Sequence, residues 1–187
     1  MPDPIHVLGI AGSLRQKSYN RLALHACLDM LPLGMTLEIY DIAAIPFFSE
    51  DVEAQGYPEP VQHFKARIAA ADSLLIATPE YNYSMPGVLK NALDWASRPA
   101  SSTPLGDKPV AIFGASTGPW GTARAQLHLR QSCVFFNAHP LNKPVLQINL
   151  ADRKFDADGK LTDEPTRVQL HALLHALSLW TIRLRGH

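Results

Sequence analysis

The sequence predicts an α/β sandwich, a parallel sheet wound in both directions with helices on its two faces. Three observations carry that prediction. Short β-rich runs recur at residues 6–11, 36–40, 73–78 and 110–115, spaced as βαβ units are. Helical stripes lie between them. The runs are largely apolar rather than strictly alternating, as strands covered on both faces must be. Length and composition agree, because 187 residues suit one domain over 1–187, and 47% apolar against 18% charged residues exclude a collagen or a disordered chain.

In chain order, the first run opens into a loop over residues 12–20, and the helix after it repeats Leu22, Ala26 and Met30 at i, i+4, i+8. A polar connection over 47–60 follows the second run and reads as a surface loop. Val61, Phe64 and Ile68 then mark the next helix. The third run ends in a loop over 78–87, where Pro86 suits the first turn of a helix because its missing N–H is unneeded there. Val88, Leu89, Ala92, Trp95 and Ala96 form that helix's apolar stripe. After the fourth run, Gly118, Pro119 and Gly121 delay the next helix to about Thr122. The fifth strand is either 133–136 or 145–148. Leu170, Leu173, Leu174, Leu177, Trp180 and Leu184 give a last helix one apolar face.

Charge and cysteine content narrow the function. The 17 Lys and Arg balance 17 Asp and Glu, so no overall positive field draws nucleic acid or an anionic membrane. No apolar stretch reaches the roughly 20 residues that cross a bilayer. Pro2, Asp3 and Pro4 stand where a secretory signal carries basic residues. Cys27 and Cys133, expected in a helix and a strand, read as two buried thiols, which fits a cytoplasmic compartment.

Ligands of such sheets bind beyond the carboxyl ends of the strands, so three loops are the candidates. The first packs Ser13, Arg15, Lys17, Ser18 and Asn20 against a helix N-terminus, where unpaired N–H groups, hydroxyls and a guanidinium suit a phosphate dianion. The alternative is that Ser18 or Asn20 only caps the helix. Gly9, Gly12 and Ser13 lack the G-x-G-x-x-G spacing of a dinucleotide turn, and Gln16 replaces the glycine that a Walker A loop needs before Lys17 and Ser18. The second loop carries Glu80, Tyr81, Asn82 and Tyr83, whose aromatic faces could hold a planar heterocycle or pack back onto the domain. Glu80 reads as a structural or interface carboxylate rather than a proton donor.

The third loop, Gly114 to Gly118, matches the G-x-S-x-G of hydrolases. The delayed helix and the lack of an upstream oxyanion segment speak against a nucleophilic Ser116, and the glycines read as letting backbone approach a ligand ring. His171 and His175 stand at i, i+4 on the polar face of the last helix without a third ligand nearby, so no metal site is expected.

The loops over 12–20 and 78–87, the segment 89–95 and the stretch 118–130 together resemble the NADPH-dependent FMN reductase family. The resemblance runs from the first strand through Asn142, Lys143 and Pro144. It implies a flavodoxin-like three-layer sandwich with a five-stranded parallel sheet in the order 2-1-3-4-5. It also implies tightly bound FMN, with NADPH or NADH as co-substrate and hydride transfer through the flavin to quinones or to azo, nitro, chromate or free-flavin acceptors. By that resemblance Ser13, Arg15, Ser18 and Asn20, with Tyr19 beside them, hold the FMN phosphate. Pro79, Glu80, Tyr81, Asn82 and Tyr83 lie along the ribityl chain and ring, and Ser116, Thr117 and Gly118 close the other side. No catalytic side chain is implied. A homodimer or homotetramer is expected, with Tyr83, Trp120 and the 47–60 segment as candidate contacts. A flavodoxin-like electron carrier or FMN sensor without NAD(P)H turnover is the alternative, although the arginine in the phosphate loop favours a reductase.

Overall fold

In the computed structural model, residues 4–186 are described, and the reading of Pro2 and Asp3 against a secretory signal lies outside them. Strands β1 (Ile5–Ala11), β2 (Met35–Tyr40), β3 (Ser73–Ala77) and β4 (Pro109–Ala115) pair in parallel in the order β2-β1-β3-β4. The fifth position is shared by two short segments. β5 (His139–Pro140) pairs with the start of β4, and β6 (Leu146–Ile148) pairs with its end. The expected order 2-1-3-4-5 is therefore present, with its last strand in two pieces.

The alternative fifth strand at 133–136 is helical. Those residues end α5 (Ala123–Phe135), whose buried side is Ala125, Gln126, Leu129 and Cys133. Val134 and Phe135 are 78% and 74% exposed, so the apolar run straddles the helix instead of entering the sheet. A four-residue apolar run has no period of its own, which is why its sequence does not distinguish the two states.

The other helices are α1 (Tyr19–Ala26), continued by a 3-10 turn at Cys27–Met30, α2 (Glu50–Glu53), α3 (Glu59–Ala70), α4 (Gly87–Ala96) and α6 (Glu164–Arg185). The pleat sends alternate residues of β1 to opposite faces. Val7 joins Leu75, Phe113 and the buried sides of α1 and α6, whereas Leu8 joins Leu74, Ile112 and those of α3, α4 and α5. These are the two outer layers. Pro86 stands at the N-cap of α4 with an extended ψ of 145°, one residue before the turn it was expected to occupy.

The 47–60 segment is more structured than a surface loop, because it contains α2 and the start of α3. It is also clamped to α4. Pro46 O accepts from Trp95 Nε1 (2.8 Å) and Asn91 Nδ2 (2.9 Å), Asn91 Oδ1 accepts from Phe48 N–H (2.8 Å), and the Phe48 ring meets Trp95 edge-on at 4.9 Å. Phe47 is left 85% exposed. At the other end of the chain, Asp163 caps α6 by accepting from Thr166 N–H (3.0 Å), while Leu170, Leu173, Leu174 and Leu177 bury its inner side.

Candidate active site

Parallel pairing brings the three loops to one edge of the sheet, where they enclose a cavity of about 180 Å³. Ser13, Arg15, Ser18, Tyr19 and Asn20 line one wall, Pro79, Glu80 and Tyr81 a second, and Ala115, Ser116 and Thr117 a third. Asn82 and Tyr83 line an outer cavity of about 490 Å³ that also touches Glu80. Of the residues expected at the site, only Gly118 lines neither, lying one residue beyond Thr117.

On the first wall, Ser18 occupies the N-cap of α1, yet its side chain makes no capping hydrogen bond. It is 2% exposed. Ser18 therefore holds the N-cap position without using its hydroxyl to cap the helix. Ser13 Oγ lies 3.4 Å from both Arg15 N and Tyr81 Oη, which ties the first wall to the second. Asn20 lines this wall and also ties it to the third. Its Nδ2 donates to Ala115 O (2.9 Å) and its Oδ1 accepts from Ala115 N–H (2.8 Å), so the amide clamps the end of β4 to α1.

On the second wall, Asn82 and Tyr83 take the left-handed conformation, with φ of 50° and 66°. They form the tip of a tight turn closed by hydrogen bonds in both directions between Tyr81 and Ser84 (2.9 and 3.0 Å). Tyr81 and Tyr83 remain 50% and 67% exposed, so each leaves much of its ring open to solvent. Glu80 lines both cavities and is tied to α5. Its carboxylate accepts from Arg124 N–H (2.9 Å), Ala125 N–H (3.2 Å) and Arg124 Nη1 (3.1 Å). It therefore caps α5 from a distant loop.

Arg124 is the residue that the sequence reading missed. Its guanidinium is paired with Glu80 and lies 4.1 Å from the Tyr83 ring centroid. A signal was present, because a cation in the first turn opposes the helix dipole and α5 has no acidic residue there. Such a helix needs a carboxylate from elsewhere. His128 adds a further tie, with Nδ1 2.9 Å from Ser84 Oγ.

On the third wall, Ser116 N–H donates to Ile148 O (2.9 Å) and Ser116 Oγ accepts from Gly118 N–H (3.1 Å). The helix starts only at Ala123, so no nucleophile elbow is formed. The glycines do not all serve a ligand as expected. A Cβ on Gly114 would lie 2.0 Å from Thr122 Oγ1 and 2.1 Å from Thr78 O, so this glycine is required by protein packing. Gly121, at φ 58°, is packed against Gln147, whereas at Gly118 a Cβ would make only an ordinary contact.

Among the described residues, no group of three His, Cys, Asp or Glu side chains could hold a metal, and no helix is long and apolar enough to cross a membrane.

The model of the NADPH-dependent FMN reductases matches residues 5–152. An NAD(P)H-dependent FMN reductase of Pseudomonas aeruginosa is 56% identical over 186 residues, covering 100% of both chains. An NAD(P)H:quinone oxidoreductase of Solanum tuberosum is 45% identical over 188 residues, covering 97% of this chain and 95% of that one. Among solved structures, FerB, a flavoenzyme NAD(P)H:(acceptor) oxidoreductase from Paracoccus denitrificans, superposes with a TM-score of 0.87 at 32% identity, over 96% of this chain and 98% of the other. With the three loops joined at the carboxyl edge of a 2-1-3-4-5 sheet and a family match over most of its length, the chain belongs to the NADPH-dependent FMN reductases.

Proposed function

We propose that the protein is an FMN-dependent NAD(P)H oxidoreductase that reduces quinones or comparable small acceptors. The observation that carries this reading is the unspent Ser18 hydroxyl at the start of α1, inside a cavity that Arg15 also lines. A buried hydroxyl and first-turn N–H groups without a protein partner fit a phosphate monoester, and Arg15 supplies charge. The residues present therefore fit FMN, with Ser13, Arg15 and Ser18 at its phosphate and Tyr19 alongside.

Bound there, FMN supplies the two-electron exchange between NAD(P)H and the acceptor. The chain's own residues bind and orient. Pro79, Glu80, Tyr81 and Asn82 present backbone and the Tyr81 ring along one side, with Glu80 acting through its hold on α5. Ser116 and Thr117 bound the other side, with Gly118 behind them donating its N–H to Ser116 Oγ, and the Asn20 clamp ties this wall to α1. Tyr83 and Asn82 rim the larger outer cavity, which is where a co-substrate and an acceptor would alternate. No side chain is assigned a proton transfer.

The proposal includes assembly into a homodimer or homotetramer, supported by the exposed apolar surface of Tyr83, Trp120 (69%) and Phe47. A cytoplasmic setting is also part of it, supported by the two buried free thiols. The test is an anaerobic absorbance titration of purified protein supplied with FMN. Flavin absorbance near ~450 nm that NADPH bleaches and a quinone restores is the expected result. Flavin that neither NADPH nor NADH bleaches would make the protein a carrier or sensor, and failure to bind FMN would overturn the reading.

A further inference from the structure

A second cavity, of about 500 Å³, opens on the far side of the phosphate loop. It shares Arg15 and Tyr19 with the cradle of about 180 Å³ described above, so both spaces border the loop assigned to the FMN phosphate. The cradle is below the roughly 300–1,000 Å³ of pockets that enclose a drug-sized ligand, and the second cavity is within that range.

We propose that this cavity takes the adenylate half of FAD, so that the protein binds FAD as well as FMN. The inference rests on the placement of the flavin phosphate argued above. Three features give the cavity the chemistry of an adenylate. Arg15 and Lys17 stand on the phosphate-loop side, where the second phosphate of the dinucleotide would emerge. Leu22 and the Tyr19 ring, in contact with Phe155 at 5.3 Å between centroids, supply an apolar wall for a flat base. Asp152 and Asp158 line the opposite lip, and carboxylates are suited to accept from ribose hydroxyls. Three carboxylates against two cations in the lining also disfavour a ligand with many phosphates.

The lip is built rather than loose. Asp156 Oδ1 accepts from Lys160 N–H (2.8 Å) and Asp158 N–H (3.1 Å), Gly159 turns at φ 83°, and Phe155 bridges to Leu161. This lip of the cavity is therefore held by its own hydrogen bonds.

The experiment is calorimetric titration of the apoprotein with FMN and with FAD, repeated on Ala157→Trp, which fills the cavity from an exposed position outside the cradle. The expected result is a Kd for FAD within tenfold of that for FMN in the parent chain. Ala157→Trp should weaken FAD at least tenfold and leave FMN within twofold. FAD weaker than FMN by more than tenfold in the parent chain would overturn the proposal, as would an Ala157→Trp chain whose FAD to FMN ratio is unchanged. If that variant fails to fold, Asp158→Trp fills the cavity from the next position and carries the same test. An adenylate of NADH entering instead would appear as a raised KM for NADH in the variant with FAD affinity unmoved, which also overturns it. Loss of FMN binding by the parent chain would instead remove the functional reading on which the proposal stands.

Discussion

Ser18 and Asn20, two residues apart and both buried, are expected to behave oppositely when truncated. Ser18→Ala removes a hydroxyl without an internal partner, so stability should change by less than about 0.5 kcal/mol while FMN affinity falls. Asn20→Ala strands the N–H and C=O of Ala115, a loss of about 2–4 kcal/mol from two buried backbone groups left unpaired. Thermal melts of the two apoproteins and FMN titrations separate the cases. The sequence placed both residues at the right loop because hydroxyl, amide and cation crowding at a strand-to-helix turn is a local signal. It could not assign Asn20 its task, since Ala115 lies 95 positions away and alanine carries no side-chain cue for a partner. Gly114 illustrates the same limit. A glycine in a loop motif reads as room for a ligand, and only the folded chain reveals that Thr122 and Thr78 occupy that room.

Helix ends are where distant elements are joined in this protein, and two of them give measurable consequences. Glu80 caps α5 across 44 positions, so Glu80→Ala should cost about 1–2 kcal/mol through lost capping and an unopposed Arg124 at the dipole. It should also weaken FMN, because the turn at Asn82 and Tyr83 loses its tether. A melt and a flavin titration on the same sample check both. Asp163, at the start of α6, has its carboxyl held below the usual carboxylate range, first by the Thr166 hydroxyl and then by the Thr166 N–H and Lys154. A carboxyl with a lowered folded pKa stabilises the fold above its unfolded value of about 3.9, and that contribution is lost as pH falls through the lower folded value. Asp163→Ala should thus lower stability by about 0.5–2 kcal/mol at pH 7, with the gap from the parent closing in strong acid. Melting both proteins across pH tests the trend. Elements with a clear period were legible, such as the α6 stripe and the four long strands. The residues 133–136 were ambiguous because Cys133 faces inward while Val134 and Phe135 face out, a helical pattern too short to distinguish from a strand.

At the scale of the whole molecule, the sheet separates two cores, and each holds one cysteine. Burial pushes the Cys27 thiol up to about 12 and the Cys133 thiol up to about 11, with Arg130 only partly opposing the latter. Neither forms appreciable thiolate near pH 8, so a disulfide-exchange reagent should titrate no cysteine in the native protein and two after denaturation. Rapid labelling of either in the native state would contradict this placement. The sheet order was legible only through the resemblance of three loops to a known family, since periodicity gives strands and helices but not their neighbours. The split of the last strand had no such signal, because β5 is only two residues long. The hydrogen bonds between Asn20 and Ala115 and between Glu80 and α5 have a practical consequence. They make the cradle a receptacle whose shape is maintained by protein contacts alone, so the cofactor should be exchangeable without refolding. Stripped of its flavin, the protein is expected to accept a synthetic analogue on simple mixing, which would make it a host for redox groups of chosen potential.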